Sequence, residues 1–261
     1  MRTQAEEKFS DYFEKWVCRL EEYCHQLHSA SRETSITEQE LRALVSKLTA
    51  HHKEYYTAKW AAAAAAVGGG GDDFFAFFSP PWSSPLENAY SWLTGWKPST
   101  AFRVLEALRA QGGTFVAEDQ MKRLEQLRAK IRLEEERVER VMERQQVGVA
   151  ERRMVELARL AGRRGEAAVT AAAGGQVDVL VDAAIKGLAT GLERIMKAAD
   201  CVRLKTLKGV LDELSPAQSV EFLAAISALQ VQLRRWGKRR QSQVEHRSRE
   251  TASSSRKRRA L

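Results

Sequence analysis

Residues 81–108 read PWSSPLENAYSWLTGWKPSTAFRVLEAL and contain three of the six tryptophans in the chain. Ser84, Pro85 and Glu87 predict a helix start, because serine can cap a helix, proline has a preset φ, and glutamate can bond back to the cap. We expect this helix to end at Gly95, the first residue of a Gly-Trp-Lys-Pro corner. A buried indole N–H needs a hydrogen-bond partner, so the stretch predicts a well-specified corner of a core.

Composition and periodicity predict an all-α protein. Ala, Leu, Glu, Arg and Lys dominate the 261 residues, and no run alternates apolar and polar residues at period two. Apolar stripes at helical spacing predict a single bundle of about six helices in one domain, 4–237. Flexible inserts are expected near 67–80 and near 162–176. The first insert includes a Gly run and four phenylalanines, which should cover the tryptophan corner formed by the stretch from Trp82 to Trp96. The segment 117–160 is predicted to be one long helix with a short heptad tract that could form a dimer edge.

Charge is concentrated at the C-terminal end. The net charge is +8, but eleven basic residues face only two acidic ones after Leu233, so the rest is close to neutral. We predict a disordered basic tail over 238–261. It carries a nuclear-localisation-like or phosphate-binding cluster, Arg256, Lys257, Arg258 and Arg259. A solubilising tail is the alternative.

The sequence offers little chemistry. It contains no Walker motif, HExxH, GxSxG or Cys/His nucleophile constellation, and this predicts a non-enzymatic protein. His28 follows Cys24-His25 at metal-like spacing, but no second pair supports it, so we predict no metal site. Three scattered cysteines favour a reducing compartment without disulfides. The sequence has no apolar run long enough to predict a membrane span or a signal peptide.

Three separated motifs share a pattern: HHKEYYTAK at 51–59, the stretch from Trp82 to Ser99, and ADCVRLKTL at 199–207. Together they resemble the plant delay-of-germination, or seed dormancy control, domain family. That domain also forms the C-terminal half of TGA-type bZIP transcription factors. The positions that match the family signature are His51, Tyr55, Lys59, Trp82, Glu87, Trp92, Gly95, Trp96, Pro98, Asp200, Arg203 and Thr206. From spacing alone, Asp200 and Arg203 could form a pair on one helix, worth a few tenths of a kcal/mol if it is exposed.

The segment 10–16, SDYFEKW, resembles the opening of the family domain. In the dormancy regulators a similar segment contacts type 2C protein phosphatases, so the resemblance implies a partner site at Asp11, Tyr12, Phe13 and Trp16. Helical spacing alone favours a core stripe for these aromatic residues. Family members are also associated with haem bound through C-terminal histidines. Only His246 is available in that region, and we predict no cofactor.

The resemblance implies a nuclear, and also cytoplasmic, plant regulator that acts by protein–protein contact in seed dormancy or abscisic-acid signalling. It would act by restraining type 2C phosphatases. One alternative is transcriptional regulation with sequence-specific DNA binding, as in the TGA relatives. The basic helix and zipper of those relatives do not precede the domain in this sequence, so major-groove binding is not expected, and only weak contact through the tail is predicted. A developmental scaffold like the pollen-aperture members is the other alternative.

Overall fold

A computed structural model describes residues 4–33, 35–69, 71–112, 117–163 and 171–259. Within these ranges it contains helices and no strands, as the composition predicts, but eight α-helices instead of about six. They are α1 (Gln4–Ala30), α2 (Glu38–Gly68), α3 (Pro85–Ala89), α4 (Thr100–Ala110), α5 (Glu118–Gly148), α6 (Arg152–Arg163), α7 (Ala171–Glu213) and α8 (Pro216–Arg259), with a 3-10 helix at Asp72–Phe77 between α2 and α3.

Local capping chemistry sets the helix starts. At α2, the Glu40 amide donates to the Thr37 hydroxyl over 3.3 Å, and the Thr37 amide donates to the Glu40 carboxylate over 2.8 Å. Ser84 and Glu87 form the same reciprocal pair at α3. Each box pairs amides that the first helical turn cannot satisfy itself.

The helices pack around two apolar clusters. Helix α5 packs on α7, α1 packs on α8, and α2 contacts α1, α7 and α8. The larger cluster joins α1, α2, α4, α5, α7 and α8 through residues such as Leu20, Leu48, Ile131 and Phe222. The smaller one contains Phe9, Phe74, Phe77, Trp82 and Met196. Burying these side chains is the main favourable term for the fold.

Several segments differ from the sequence expectation. Helix α3 ends at Ala89, and the chain then turns through Trp92 and Gly95. The predicted long helix is divided into α5 and α6 by a turn at 149–151. Where a flexible insert is expected near 67–80, Asp72–Phe77 forms a 3-10 helix that buries Phe74 and Phe77, with Phe77 5.4 Å from the Trp82 ring. Of the insert expected at 162–176, residues 164–170 lie outside the described ranges and 171–176 belong to α7.

The C-terminal segment differs as well, because α8 continues to Arg259 where a disordered tail is expected after 237. No proline or glycine follows Gly237, and Lys, Arg, Gln and Glu are good helix formers, so a helix anchored in the bundle can extend outward. Gly237 therefore lies inside the helix. A Cβ placed there would come within 1.9 Å of the Ser84 hydroxyl, so its role is close packing of α8 on α3.

Candidate functional site

Two of the signature motifs meet in a buried ionic network. Lys59, Asp200 and Arg203 are each 2% exposed or less. Lys59 Nζ lies 3.1 Å from the Asp200 carboxylate, and Arg203 Nη1 lies 2.5 Å from it. The indole of Trp60 donates to the other carboxylate oxygen over 3.0 Å. Asp200 and Arg203 thus form the pair that their spacing allows, and the pair is fully buried. Loss of one partner of a buried pair is strongly destabilising.

This network holds the turn at the tryptophan corner. Arg203 Nε donates to the carbonyl of Trp96 over 2.7 Å, and its Nη2 donates to the carbonyls of Trp92 and Leu93. Lys59 Nζ donates to both the carbonyl and the hydroxyl of Thr94. These carbonyl oxygens accept hydrogen bonds from two cations that share a single carboxylate, and so help to stabilise both charges. Burial lowers the pKa of Lys59 to about 8, with Asp200 opposing that shift, so the ammonium keeps its proton at neutral pH.

The turn adopts an uncommon backbone conformation. Leu93 has a φ of 43° and Thr94 a φ of 70°, in the left-handed region that non-glycine residues rarely occupy. Such strain persists only where surrounding contacts determine it, and the Lys59 and Arg203 bonds supply those contacts. Position 95 requires glycine for a steric reason, because a Cβ there would lie 2.9 Å from the Arg203 guanidinium carbon. The glycine of this signature motif therefore makes room for the arginine of another.

The remaining parts of the corner are also fixed by specific partners. Trp92 donates to Glu139 over 2.7 Å, and Trp96 donates to the Tyr56 hydroxyl over 3.2 Å, as expected for indoles with buried bodies. After Pro98, the Ser99 amide donates to the buried Glu135 of α5 over 2.6 Å. This carboxylate lies at the start of α4, where helix amides lack partners.

The aromatic segment of α1 faces inward. Trp16 stacks on His51 with ring centroids 5.0 Å apart, its indole donates to the His51 carbonyl, and His51 Nε2 bonds the Trp16 carbonyl over 3.0 Å. Tyr12 and Phe13 are half-buried beside the smaller apolar cluster. Of the four predicted partner residues, Asp11 alone is exposed. The structure thus assigns Trp16 a packing contact between α1 and α2.

Arg234 connects α8 to the corner, and the sequence expectation missed it by counting it with the basic tail. It is 4% exposed and donates to the Trp82 carbonyl and to Glu87 over 3.1 Å each. It also bonds Glu14 of α1 and lies 4.8 Å over the Phe13 ring. Helical spacing could have predicted the burial of Arg234, because it lies about two turns after Ser227 and three turns after Leu223, which are both buried.

A cavity of 170 Å³ lies beside these groups. Residues from α1, α2, the corner and α8 line it, so signature motifs that are far apart in the sequence share its wall. The predicted site residues that line it are Phe13, Trp16, Tyr55, Lys59, Trp82, Glu87, Gly95 and Trp96. Burial raises the pKa of Tyr55, which keeps its phenol neutral.

Other predicted residues lie elsewhere. Thr206 is buried and bonds the Val202 carbonyl within α7. His25 and His28 are exposed on α1, and the described residues contain no group of three or more His, Cys, Asp or Glu arranged to hold a metal ion. The cluster from Arg256 to Arg259 ends α8, beyond the last side chains that the structure describes. No helix in the described ranges has the length and apolarity needed to cross a membrane.

The geometry defines a class: a helical bundle whose signature residues converge on a buried ionic network and an aromatic cavity. The family model for seed dormancy control, DOG1, matches residues 23–107. The chain is 53% identical over 240 residues to Protein DOG1-like 4 of Arabidopsis thaliana, covering 92% of this chain and 96% of that protein. It is 32% identical to Protein ZW2 of the same plant over 242 residues, covering 90% and 98%.

A further relative, Protein RESPONSE TO ABA AND SALT 1 of Arabidopsis thaliana, is 29% identical over 235 residues, covering 89% of this chain and 96% of that protein. The match to DOG1-like 4 extends over nearly the whole of both proteins, far beyond the residues of the family model. The chain therefore belongs to the DOG1 seed dormancy control family.

Proposed function

We propose that this chain is a non-enzymatic regulator of seed dormancy or abscisic-acid signalling that acts by binding other proteins, with type 2C protein phosphatases as the candidate partner. Membership of the DOG1 family, together with a relative named for its response to ABA and salt, supports the process. The observation that carries the mode of action is that the signature residues are used in internal bonds. Lys59, Asp200 and Arg203 are held by one another and by the turn, so their charged groups stabilise the bundle.

The surface of α1 is the proposed contact site. Its inward face holds Trp16 and Phe13, whereas Asp11, Lys15, Arg19 and Glu22 recur at helical spacing on the exposed face. A partner that reads the 10–16 segment would meet these charged side chains. Charge pairs at the rim of an interface set specificity and association rate, so exchanging their signs should weaken binding.

The test is affinity capture from seed extract with the full chain. The double variant Asp11→Lys, Lys15→Glu reverses two charges of α1 without changing the net charge. Its matched control, Glu143→Lys with Arg144→Glu, makes the same exchange at two exposed positions of α5. We expect phosphatase capture to fall at least tenfold for the α1 variant and to stay unchanged for the α5 variant. Equal capture by both variants would remove α1 from the interface, and absence of phosphatases from the wild-type eluate would remove the proposed partner.

A second candidate, nuclear action with nucleic-acid contact, is favoured by one observation. Helix α8 extends past the bundle with Lys238, Arg239, Arg240 and Arg247 exposed along it. Such a basic helix could bind phosphates without reading sequence. Fluorescence anisotropy with a labelled duplex of random sequence tests this. The affinity should fall steeply between 50 and 200 mM salt, by about 10³-fold if the helix makes six phosphate contacts. Salt-independent binding, or none at 50 mM, would contradict it.

A further inference from the structure

We propose that the cavity between α1, α2, the tryptophan corner and α8 is a binding site for a small, mainly apolar molecule with one hydrogen-bond acceptor. This inference does not depend on the identity of the protein partner. Three observations carry it: the volume of the cavity, its aromatic wall, and two buried nitrogen atoms of lining residues that have no hydrogen-bond partner in the described structure.

The volume sets the size of the ligand. The cavity measures 170 Å³, and an engineered apolar cavity of about 150 Å³ is known to bind benzene. A single six-membered ring with a short substituent, about nine non-hydrogen atoms, therefore matches the available space.

The wall sets the polarity of the ligand. Phe13, Trp16, Trp82 and Trp96 supply aromatic surface, and Val231 adds an aliphatic contact that is 4% exposed. Such a lining favours an apolar ring, because a ring can stack on the aromatic side chains or contact their edges and loses little conformational entropy when it binds.

Two unpartnered nitrogens favour an acceptor, because the Arg234 Nε–H can only donate and His52 Nε2 donates in the tautomer that carries its proton there. His52 is 3% exposed and lines the cavity, and its Nε2 has no hydrogen-bond partner. Arg234 is 4% exposed and lines the same cavity, and its Nε–H is also without a partner, although its other nitrogens bond Trp82, Glu87 and Glu14. A buried polar group without a partner costs free energy, and a bound carbonyl oxygen would recover part of that cost.

An anionic ligand is disfavoured. The Arg234 charge is already compensated by Glu87 and Glu14. A further carboxylate would lie close to Glu87, which also lines the cavity. Because a buried charge without its own counter-ion is costly, the site suits a neutral acceptor such as a ketone or an aldehyde.

A matched pair of probes tests this assignment. Acetophenone carries a carbonyl, and isopropylbenzene has the same size with a methyl group in place of the oxygen. Binding is followed by NMR of the indole N–H signals of the full chain. Trp16, Trp82 and Trp96 line the cavity and should shift on titration, whereas Trp236, half-exposed on α8 and outside the cavity, serves as the internal control.

We expect acetophenone to bind about five- to tenfold more tightly than isopropylbenzene, the effect of one hydrogen bond to a buried donor. His52→Phe keeps an aromatic ring but removes Nε2, and it should reduce this preference. Val231→Phe should fill the cavity and weaken both probes. Equal affinity of the two probes for the wild type would overturn the acceptor assignment, and the absence of cavity-specific shifts at millimolar concentration would overturn the site. Both outcomes are read on the wild type, so they hold even if a variant does not fold.

Discussion

Replacing Asp200 with asparagine tests the buried network most sharply. Asparagine keeps the size of the side chain but leaves Lys59 and Arg203 as two buried cations without an anion. Breaking a buried ion pair in this way costs about 3–5 kcal/mol of folding free energy. The part of this loss that comes from Lys59 has a ceiling, because Lys59 can release its proton, whereas Arg203 stays charged. Removing a proton at pH 7 from a lysine of ordinary pKa costs about 5 kcal/mol.

The ceiling gives the variant a distinctive pH dependence. In the wild type the Lys59 pKa is about 8, so folded and unfolded chains both hold this proton at pH 7. In Asp200→Asn the folded pKa should fall below 7 while the unfolded pKa stays near 10.4. The unfolded state then binds more protons, and stability should rise by about 1.4 kcal/mol between pH 7 and pH 8. The wild type, whose folded chain begins to release the Lys59 proton near pH 8, should gain only about 0.4 kcal/mol in that interval.

The assay is urea unfolding at pH 7 and pH 8, followed by tryptophan fluorescence. The matched control is Asp212→Asn, which removes a carboxylate of the same helix that is 57% exposed and pairs with Lys208. Exposed pairs contribute about 0–1 kcal/mol, so this control should stay close to the wild type at both pH values. A loss in Asp200→Asn that matches the control at pH 7 would refute the reasoning.

Three further predictions concern packing and protonation. Burial lowers the pKa of His52 to about 4, so as the pH falls below about 6.5 the unfolded chain binds a proton before the folded chain does. The free energy of unfolding in urea should therefore fall by about 3 kcal/mol by pH 4. The variant His52→Phe should not show this loss, whereas His25→Gln, a change at an exposed position, should show it in full. Gly237→Ala should lower the thermal midpoint in circular dichroism, with an overpacking cost of about 1–3 kcal/mol, whereas Gly187→Ala, with open space around its Cβ, should raise it. Trp16→Ala should lose about 3–5 kcal/mol in urea unfolding, because its stacking on α2 is lost.

The sequence predicts the features that depend on near neighbours. The capping box at Ser84 needs only residues three positions apart, and it occurs as predicted. The inward stripe of α1 follows from helical periodicity in the same way. These are properties of one helix and its first turn, so no knowledge of the packing is needed to find them.

The features that the sequence did not predict depend on distant partners. The Lys59 to Asp200 bond joins residues 141 apart, and the Arg203 bond to the Trp96 carbonyl spans 107. The short α3 has the same cause, because Trp92, Leu93 and Trp96 give their carbonyls to Arg203, and Thr94 gives its carbonyl to Lys59, instead of continuing the helix. A basic residue such as Arg234 is usually exposed, and its burial follows from Glu14 and Glu87 on other elements.

The central claim is that the signature residues build the bundle, while the exposed face of α1 recognises the partner. The most direct test measures both the free energy of unfolding and phosphatase capture for the wild type, for Asp11→Lys with Lys15→Glu, and for Asp200→Asn. The account predicts that the α1 variant loses capture at unchanged stability, and that the Asp200 variant loses about 3–5 kcal/mol of stability. An α1 variant with full capture, together with an Asp200 variant that keeps its stability but loses capture, would contradict it, because the network and not the surface would then be the contact site.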